Sequence, residues 1–353
     1  MAYNFQKYVE PDWNQDFLKN APNCKYEECP KDGVSPENYH ALSIYPEYFK
    51  IDGSWVLATE SRMDTVPVIK SPTKVEIVEF RNLKKGDKVV IGRTEDASEG
   101  IYMYTHGFSG GDKEAGDTFA FRTGRSRETA FSKDYDELYE IMKYVKSKGE
   151  NITWVIGPSL VNDARASKAF ESLIKKGYVD AILTGDSFAS IDITKALYDE
   201  KSNRNFDMQK FDAISAIRKS GSIKNAVEDG TLKSGIMHTM VKENKDFVLA
   251  ASIRDPYTLP DTIDNVYDAQ NAMRVHTRKT GMLICLSTVL HTIASGNMTP
   301  SYNEFDGEIR PVFIYSIDLQ EFSVNKLSDR GTLEVKTMVT NIFDFVCHID
   351  RNL

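Results

Sequence analysis

Small and polar residues recur through the second half of this sequence, and each group directly follows a short apolar run. The groups are Gly157-Pro158-Ser159, Thr184-Gly185-Asp186, Ser252 to Asp255, Thr288 and Asp318. A glycine lets a phosphate approach the backbone, and a helix that begins there offers free N–H groups and a partial positive charge. These residue types predict a nucleotide-binding site, although the Gly-x-Gly-x-x-Gly fingerprint of the common dinucleotide fold is absent.

The carboxylates and amides at these positions have alternative roles. Asp318 could accept hydrogen bonds from both hydroxyls of a ribose, or it could cap a helix predicted from Glu321. Asn162 and Asp163 precede a predicted helix, so a helix cap is the simpler interpretation there. Asp186 could also cap a helix, or it could present its carboxylate to the site.

Two further features could act on a substrate. Arg254 and Asp255 are adjacent at a predicted strand end, where such a pair suits an anionic group beside an ammonium group. A structural ion pair is the alternative. His291 follows an apolar run and could transfer protons near neutral pH, or it could be a hydrogen-bonded core residue.

The elements that position these residues alternate between helix and strand. The predicted strands are 152–156, 179–183, 247–251, 282–286, 312–317 and 335–339. Short apolar strands that alternate with amphipathic helices are typical of a parallel sheet covered on both faces. In such sheets ligands bind outside the carboxyl ends of the strands, near the point where the strand order reverses. We therefore expect the polar groups to converge there.

The first third of the chain has a different pattern. Residues 1–30 contain three prolines and little periodicity, so they predict an extended arm. Residues 31–112 contain short β-like pieces, with a hairpin at Asp52-Gly53, and predict a small β-rich domain. A stretch with four glycines between 107 and 117 places the boundary to an α/β domain over 113–353. The predicted fold class is α/β, with a doubly wound nucleotide-binding domain.

Composition excludes several classes of partner. The 353 residues carry a net charge of -8, which argues against nucleic acid. The N-terminus does not resemble a signal peptide, and no run approaches the ~18 apolar residues that suggest a membrane span. The four cysteines do not form a disulfide framework, and the six histidines show no metal-ligand spacing. A cytoplasmic protein without membrane or metal partners is expected.

Several segments, taken in order, resemble one known family. They are 32–39 with the 52–53 hairpin, 157–161, 177–185, 220–227, 234–237, 247–255 and 290–297. From about residue 31 to 345 the chain is similar to archaeal-type ornithine cyclodeaminases, which carry a domain named for its LOR/SDH conserved region. Relatives also form the C-terminal part of cyanobacterial arginine-degrading enzymes. The resemblance implies a nucleotide domain similar to deoxyhypusine synthase, a tightly held NAD, and a homo-oligomer, either a dimer or a tetramer.

The resemblance also implies a reaction. L-Ornithine is converted to L-proline and ammonia, and hydride moves from the α-carbon to NAD and later returns, so no oxidant is consumed. From their positions at the strand ends, we expect Arg254 and Asp255 to bind the substrate. The catalytic candidates are Asp186, Asp255 and His291, with Asp186 or His291 as the proton shuttle. The residues expected to contact the cofactor are Gly157, Pro158, Ser159, Asn162, Gly185, Ser252, Thr288, Gly296, Asn297 and Asp318.

Some positions depart from the family pattern. The sequence has Asn162-Asp163-Ala164 where the family has His-Thr-Gly, Asp186 where it has Asn, and Ile191 where it has His. We therefore expect a divergent member, without the extra N-terminal domain of many members, that acts on ornithine or a related diamino acid. The alternatives are an NAD(P)-dependent imine or amino-acid reductase or dehydrogenase, an aminoalkyl transferase, and a non-catalytic nucleotide-binding protein. NADP instead of NAD stays open.

Overall fold

The computed structural model describes residues 3, 5, 7–62, 64–108, 132–198, 205–320 and 333–353. It divides into two compact units. The first comprises residues 1–131, 300–312 and 331–334, and the second comprises residues 132–299, 313–330 and 335–353. The predicted boundary at 112–113 and the helix predicted from Glu321 lie outside the described residues. None of the helices among the described residues combines the length and the apolar composition that a membrane-spanning helix needs.

The first unit consists mainly of short antiparallel strands. One sheet has the order β1-β6-β4-β5, where the strands are β1 (Lys25–Glu28), β4 (Thr65–Ser71), β5 (Lys74–Glu79) and β6 (Lys88–Ile91). A second has the order β3-β2-β7, with β2 (Glu47–Ile51), β3 (Ser54–Leu57) and β7 (Ile101–Met103). The described part of this unit also contains helix α1 (Asp16–Lys19), a 3-10 helix (Phe80–Asn82) and the hairpin of β13 (Tyr302–Phe305) and β14 (Glu308–Pro311).

The predicted hairpin at Asp52-Gly53 is confirmed. Both residues have a positive φ, 48° and 83°, and Ile51 pairs with Ser54 across the turn. Two consecutive positive φ angles match the twist of the flanking strands, which is why Asp-Gly suits this turn.

The expected N-terminal arm is partly ordered into the first sheet. β1 pairs antiparallel with β6 from Lys25 opposite Ile91, and Cys24 and Cys29 at its two ends are buried. The Lys50 ammonium donates to the carbonyl oxygens of three residues between 18 and 21. This segment is held by backbone pairing and by the buried Lys50 ammonium. Neither interaction produces a periodic pattern of apolar residues, so the sequence did not predict the strand.

The second unit is an α/β layer structure. Its strands are β8 (Asn151–Ile156), β9 (Ala181–Gly185), β10 (Asp246–Ala250), β11 (Thr262–Ile263), β12 (Thr280–Leu286), β15 (Phe313–Asp318) and β16 (Glu334–Val339). Its helices are α2 (Ser132–Ser147), α3 (Ala164–Lys175), α4 (Asp186–Leu197), α5 (Phe206–Ser220), α6 (Ile223–Glu228), α7 (Ile236–Lys242), α8 (Val266–Thr277), α9 (Val289–Met298) and α10 (Ile342–Asn352). The predicted alternation of helices and strands is confirmed.

The sheet of this unit has the order β11-β10-β9-β8-β12-β15-β16, and the pairs from β11 to β15 are parallel. The chain runs outward from β8 to β11 and then returns to place β12 on the other side of β8. Strand order therefore reverses between β8 and β12. One core cluster contains buried side chains from the central strands, including Val155, Leu183 and Leu283. This packing fixes the positions of the strand ends relative to one another.

A short edge strand precedes α8, because Thr262 and Ile263 pair with β10. Asn265 then caps α8, because its side-chain oxygen accepts hydrogen bonds from the backbone N–H groups of Tyr267 and Asp268.

Candidate active site

The ends of β8 and β12 meet in a junction with no room for a side chain at Gly157. Its N–H donates to the Leu286 carbonyl oxygen at 2.9 Å. A Cβ atom at Gly157 would lie 2.0 Å from the Ser287 carbonyl oxygen, which is far inside van der Waals contact. The Ser159 hydroxyl donates to the Ser287 hydroxyl at 2.7 Å. The structure thus brings together Gly157, Ser159 and the residues before Thr288, at the point where strand order reverses.

Two helices begin beside this junction without a side-chain cap. Gly185 precedes α4 and Thr288 precedes α9, and neither position provides a capping hydrogen bond to the backbone N–H groups that follow. By contrast, Asp163 caps α3, accepting from Arg165 N and Ala166 N. Uncapped N–H groups and the helix dipole attract anions. The junction and the starts of α4 and α9 thus form a set of groups suited to the pyrophosphate of a dinucleotide.

His291, in the first turn of α9, lies against the end of β9. A Cβ atom at Gly185 would be 3.2 Å from Cε1 of the imidazole. Burial lowers the pKa of His291 below its usual 6.5, so the ring is neutral at neutral pH and can accept a proton. Within the described part of the chain we find no hydrogen bond to this ring. The role of His291 in proton transfer stays a prediction.

Asp186, the first residue of α4, is completely buried. Its Oδ1 atom accepts a hydrogen bond from Leu259 N at 3.0 Å and another from the Thr262 hydroxyl. Among the described residues, Oδ2 has no hydrogen-bond partner. Burial raises the pKa of this carboxyl above its usual value, and the nearby Asp255 adds to the effect. One oxygen anchors the segment 259–262, and the role of the second in proton transfer stays a prediction.

Asp255 is the centre of a charged network that includes two residues not singled out in the sequence. The Ser187 hydroxyl donates to Asp255 Oδ2 at 2.6 Å, and Lys210 Nζ lies 3.6 Å from Oδ1. Arg254 Nε is also 3.6 Å from Oδ1, and its Nη2 donates to the Ser187 hydroxyl at 2.5 Å. Two cations share one carboxylate, which leaves positive charge near the ends of β9 and β10.

The exposures within this network differ. The Asp255 side chain is only 6% exposed, whereas the Arg254 side chain is 69% exposed. Asp255 is therefore held by the protein, and Arg254 is the group that can contact a ligand. Neither Ser187 nor Lys210 had a sequence signal, because α5 reaches the end of β10 only through the tertiary fold.

Three predicted cofactor residues lie near strand ends but do not take part in the described hydrogen bonds between the ends of β8 and β12. Asn162 is exposed at the end of a 3-10 turn formed by residues 158–162, and the neighbouring Asp163 provides the helix cap. Ser252 is exposed, and its hydroxyl accepts from Arg254 N. Asp318 ends β15, where its Oδ1 accepts from Gln320 N at 2.9 Å.

Gly296 and Asn297 lie in the last turn of α9. At the helical rise per residue, this turn is roughly 10 Å along the helix axis from its first residue. The Thr277 hydroxyl donates to the Met298 carbonyl oxygen, so this turn packs against the end of α8. Contact of Gly296 and Asn297 with the cofactor stays a prediction.

Two protein-family models match this chain. Residues 136–349 match the model described as arginine dihydrolase ArgZ-like, C-terminal, Rossmann fold. Residues 46–125 match the model for the first region of the same C-terminal part. The chain belongs to the ArgZ-like C-terminal family. The resemblance noted from the strand-end segments is thereby confirmed.

Individual relatives agree with this membership. The chain is 33% identical over 338 residues to an ornithine cyclodeaminase of Methanococcus maripaludis, and the match covers 92% of this chain and 77% of that protein. A crystal structure of a LOR/SDH protein from the same organism has a TM-score of 0.78 at 32% identity, covering 94% of this chain and 98% of that one. The complex of AgrE with ornithine and NAD+ has a TM-score of 0.58 at 27% identity, covering 94% of this chain and 46% of that one. The predicted α/β fold class is confirmed.

Proposed function

We propose that this chain is an NAD-dependent, redox-neutral cyclodeaminase that converts L-ornithine, or a related diamino acid, to a cyclic imino acid and ammonia. The observation that carries the proposal is the neutral His291 imidazole against Gly185, beside a glycine junction, in a member of this family. Relatives named ornithine cyclodeaminase and the AgrE complex with ornithine and NAD+ support the substrate and the cofactor.

The residues at the strand ends fit a dinucleotide. Gly157 has no space for a Cβ atom, so position 157 must be glycine. No side chain therefore covers the backbone there, at the point where the strand order reverses. The uncapped starts of α4 and α9 would hold the pyrophosphate through backbone N–H groups. Asp318, at the end of β15, is the carboxylate proposed for a ribose. When bound, NAD supplies the hydride acceptor and donor that the reaction needs.

The side chains of this chain would orient the substrate and move its protons. The exposed Arg254 guanidinium would bind the α-carboxylate, because Lys210 already balances the charge of the buried Asp255. A ring nitrogen of His291 would take a proton from the substrate ammonium, since only a free amine can release hydride from its α-carbon. The same proton would return when ammonia leaves. Asp186 is the second candidate for this transfer.

Two other functions would use the same nucleotide-binding site. A reductase or dehydrogenase would use the same cofactor site with a net redox change, and a nucleotide-binding protein would bind without turnover. The absence of an imidazole at Ile191 and at Asn162, where the family pattern has histidine, motivates both.

The decisive experiment combines cofactor identification with a turnover assay. The purified protein is denatured, the released small molecule is identified by mass spectrometry, and intact protein is incubated with L-ornithine and other diamino acids. We expect NAD, ammonia and L-proline, without accumulation of NADH. Accumulating NADH would identify a dehydrogenase, and bound NAD without any turnover would identify a binding protein. A homo-oligomeric state and a cytoplasmic location stay predictions.

A further inference from the structure

Three ionisable side chains of the first unit meet in a cluster that the proposed function does not use. His40 lies before β2, Glu47 is the first residue of β2, and Glu95 lies between β6 and β7. One potential ligand atom from each residue lies within 4.8 Å of the other two. His40 is 3% exposed and Glu47 is completely buried, whereas Glu95 is half-buried. His40 and Glu47 therefore form the buried side of the cluster, and Glu95 forms the side that solvent can reach.

The hydrogen bonds of His40 orient its ring toward the carboxylates. Nε2 is 2.6 Å from Glu47 Oε2, and the imidazole also hydrogen-bonds to the backbone of Gly92. A backbone partner on one ring nitrogen directs the other nitrogen toward its ligand, as is usual for metal-binding histidines. Ser43 N donates to Glu47 Oε1 and fixes the second carboxylate oxygen.

The cluster holds two carboxylates and one imidazole. An imidazolium at His40 balances only one of the two negative charges, and the hydrogen bond of its Nε2 atom goes to Glu47. Within the described part of the chain, the Glu95 carboxyl makes no hydrogen bond or ion pair. Two neighbouring carboxylates and one imidazole can be neutralised in two ways: by protons, or by one divalent cation bound to a neutral imidazole. The second way removes the repulsion between the carboxylates without protonating them.

We propose that His40, Glu47 and Glu95 bind a divalent transition-metal ion. An imidazole nitrogen with carboxylate oxygens suits Zn²⁺, Mn²⁺ or Fe²⁺, whereas Mg²⁺ prefers oxygen ligands alone. Water on the exposed side of Glu95 completes the coordination. Met103 of β7 pairs with Glu47 of β2, and its N–H donates to the Glu95 carbonyl oxygen. The ion would therefore link β2 to the 92–100 segment, both of which contact β7. Its role is to stabilise this part of the first unit.

Titration with Co²⁺ and Zn²⁺ tests the site. Intact protein is treated with a chelator, titrated with Co²⁺, and followed by its visible absorption. We expect one Co²⁺ per chain with nitrogen and oxygen ligands and no sulfur charge-transfer band, displacement by Zn²⁺, and no displacement by Mg²⁺. Zn²⁺ at 100-fold excess over its Kd should raise the unfolding temperature by at least about 2 °C.

The matched variants are Glu95→Gln and Glu27→Gln. Glu95→Gln leaves the His40–Glu47 pair in place, so the fold should survive, and we expect metal affinity to fall at least ~10-fold. Glu95→His restores a ligand and should recover part of that affinity. Glu27 is exposed on β1 of the same unit, and its replacement should change nothing.

Two results would overturn the proposal. In the first, the wild-type chain binds no Co²⁺ or Zn²⁺ at millimolar concentration, which would make the cluster an ion pair only. In the second, Glu95→Gln binds metal with unchanged affinity and stoichiometry, which would place the metal elsewhere. Neither result depends on ornithine turnover, so the metal site and the proposed function can fail separately.

Discussion

The imidazole of His291 packs against the backbone of Gly185, with Cε1 3.2 Å from the position that a Cβ atom would occupy there. The two residues come from different βα units, since Gly185 ends β9 and His291 is in the first turn of α9. Their contact places a neutral proton acceptor beside the uncapped start of α4. It also makes the position of the ring sensitive to a single methyl group.

Replacement of His291 by Gln tests its role in proton transfer. We expect kcat to fall ~10² to 10⁴-fold while bound NAD is retained, because general-base catalysis is lost but the junction at Gly157 is untouched. Because burial lowers the pKa of His291, wild-type kcat/KM should fall only when pH drops through a value below 6.5. The pH profile of ammonia release checks this expectation. Unchanged turnover in the variant would remove His291 from the mechanism.

Gly185→Ala should displace the ring without removing it. Gly185 has a φ of -87°, so alanine fits the backbone there, and the new methyl group must push His291 by a few tenths of an ångström. We expect kcat to fall by up to ~10-fold, because small misplacements of catalytic groups are costly, and we expect little change in the unfolding temperature. Steady-state kinetics and thermal unfolding of the same preparation separate the two effects. A variant with wild-type kcat would show that the position of the ring is not critical.

Gly157→Ala tests the junction between β8 and β12. The added Cβ atom would meet the Ser287 carbonyl oxygen at 2.0 Å, and a backbone atom cannot rotate away. We expect a loss of ~1–3 kcal/mol in the free energy of unfolding and loss of bound cofactor. Urea denaturation and mass spectrometry of released ligand measure both. The matched variant is Ser159→Ala, which removes only the hydrogen bond to Ser287, so a loss of ~1 kcal/mol is expected.

Arg254→Gln tests recognition of the substrate carboxylate. Loss of a charged hydrogen bond costs roughly 1.5–3 kcal/mol, so KM for the amino acid should rise ~10- to 100-fold. Because Lys210 and Ser187 still hold Asp255, kcat should change less than KM. Arg165→Gln is the control, since Arg165 is 77% exposed on α3 and pairs with the cap residue Asp163. Equal KM values for the two variants would argue against substrate binding by Arg254.

Asp186→Asn tests the buried carboxyl through the pH dependence of stability. The pKa of Asp186 is raised in the folded chain, so its proton is held more tightly there than in the unfolded chain. The resulting stability is complete below the unfolded pKa and is lost as pH rises through the folded pKa. The variant cannot ionise, and its unfolding free energy should fall less than that of the wild type between about pH 4 and pH 7.

The control for this prediction is Asp268→Asn, which changes an exposed carboxylate on α8. It should keep the wild-type slope of stability against pH. If Asp186→Asn also keeps that slope, the carboxyl is ionised in the folded chain. Retained turnover in Asp186→Asn would additionally exclude Asp186 as the proton shuttle.

The sequence by itself determined the fold class and the positions where chemistry should be sought. Alternating apolar runs and amphipathic helices predict a parallel sheet, and small or polar residues after five of the six runs mark its carboxyl edge, because these patterns are local. Asp52-Gly53 likewise predicts its own hairpin. The strand-end segments, taken in order, were enough to indicate the family.

Only the tertiary structure decided which of these residues meet. Strand order puts β8 beside β12, so Gly157 lies against Ser287 across 130 positions of sequence. Ser187 and Lys210 join Asp255, and His40, Glu47 and Glu95 converge, although their spacing along the chain predicts neither group. The physical reason is that a local pattern specifies an element and its buried face, whereas contacts between side chains depend on how the elements are ordered in the sheet.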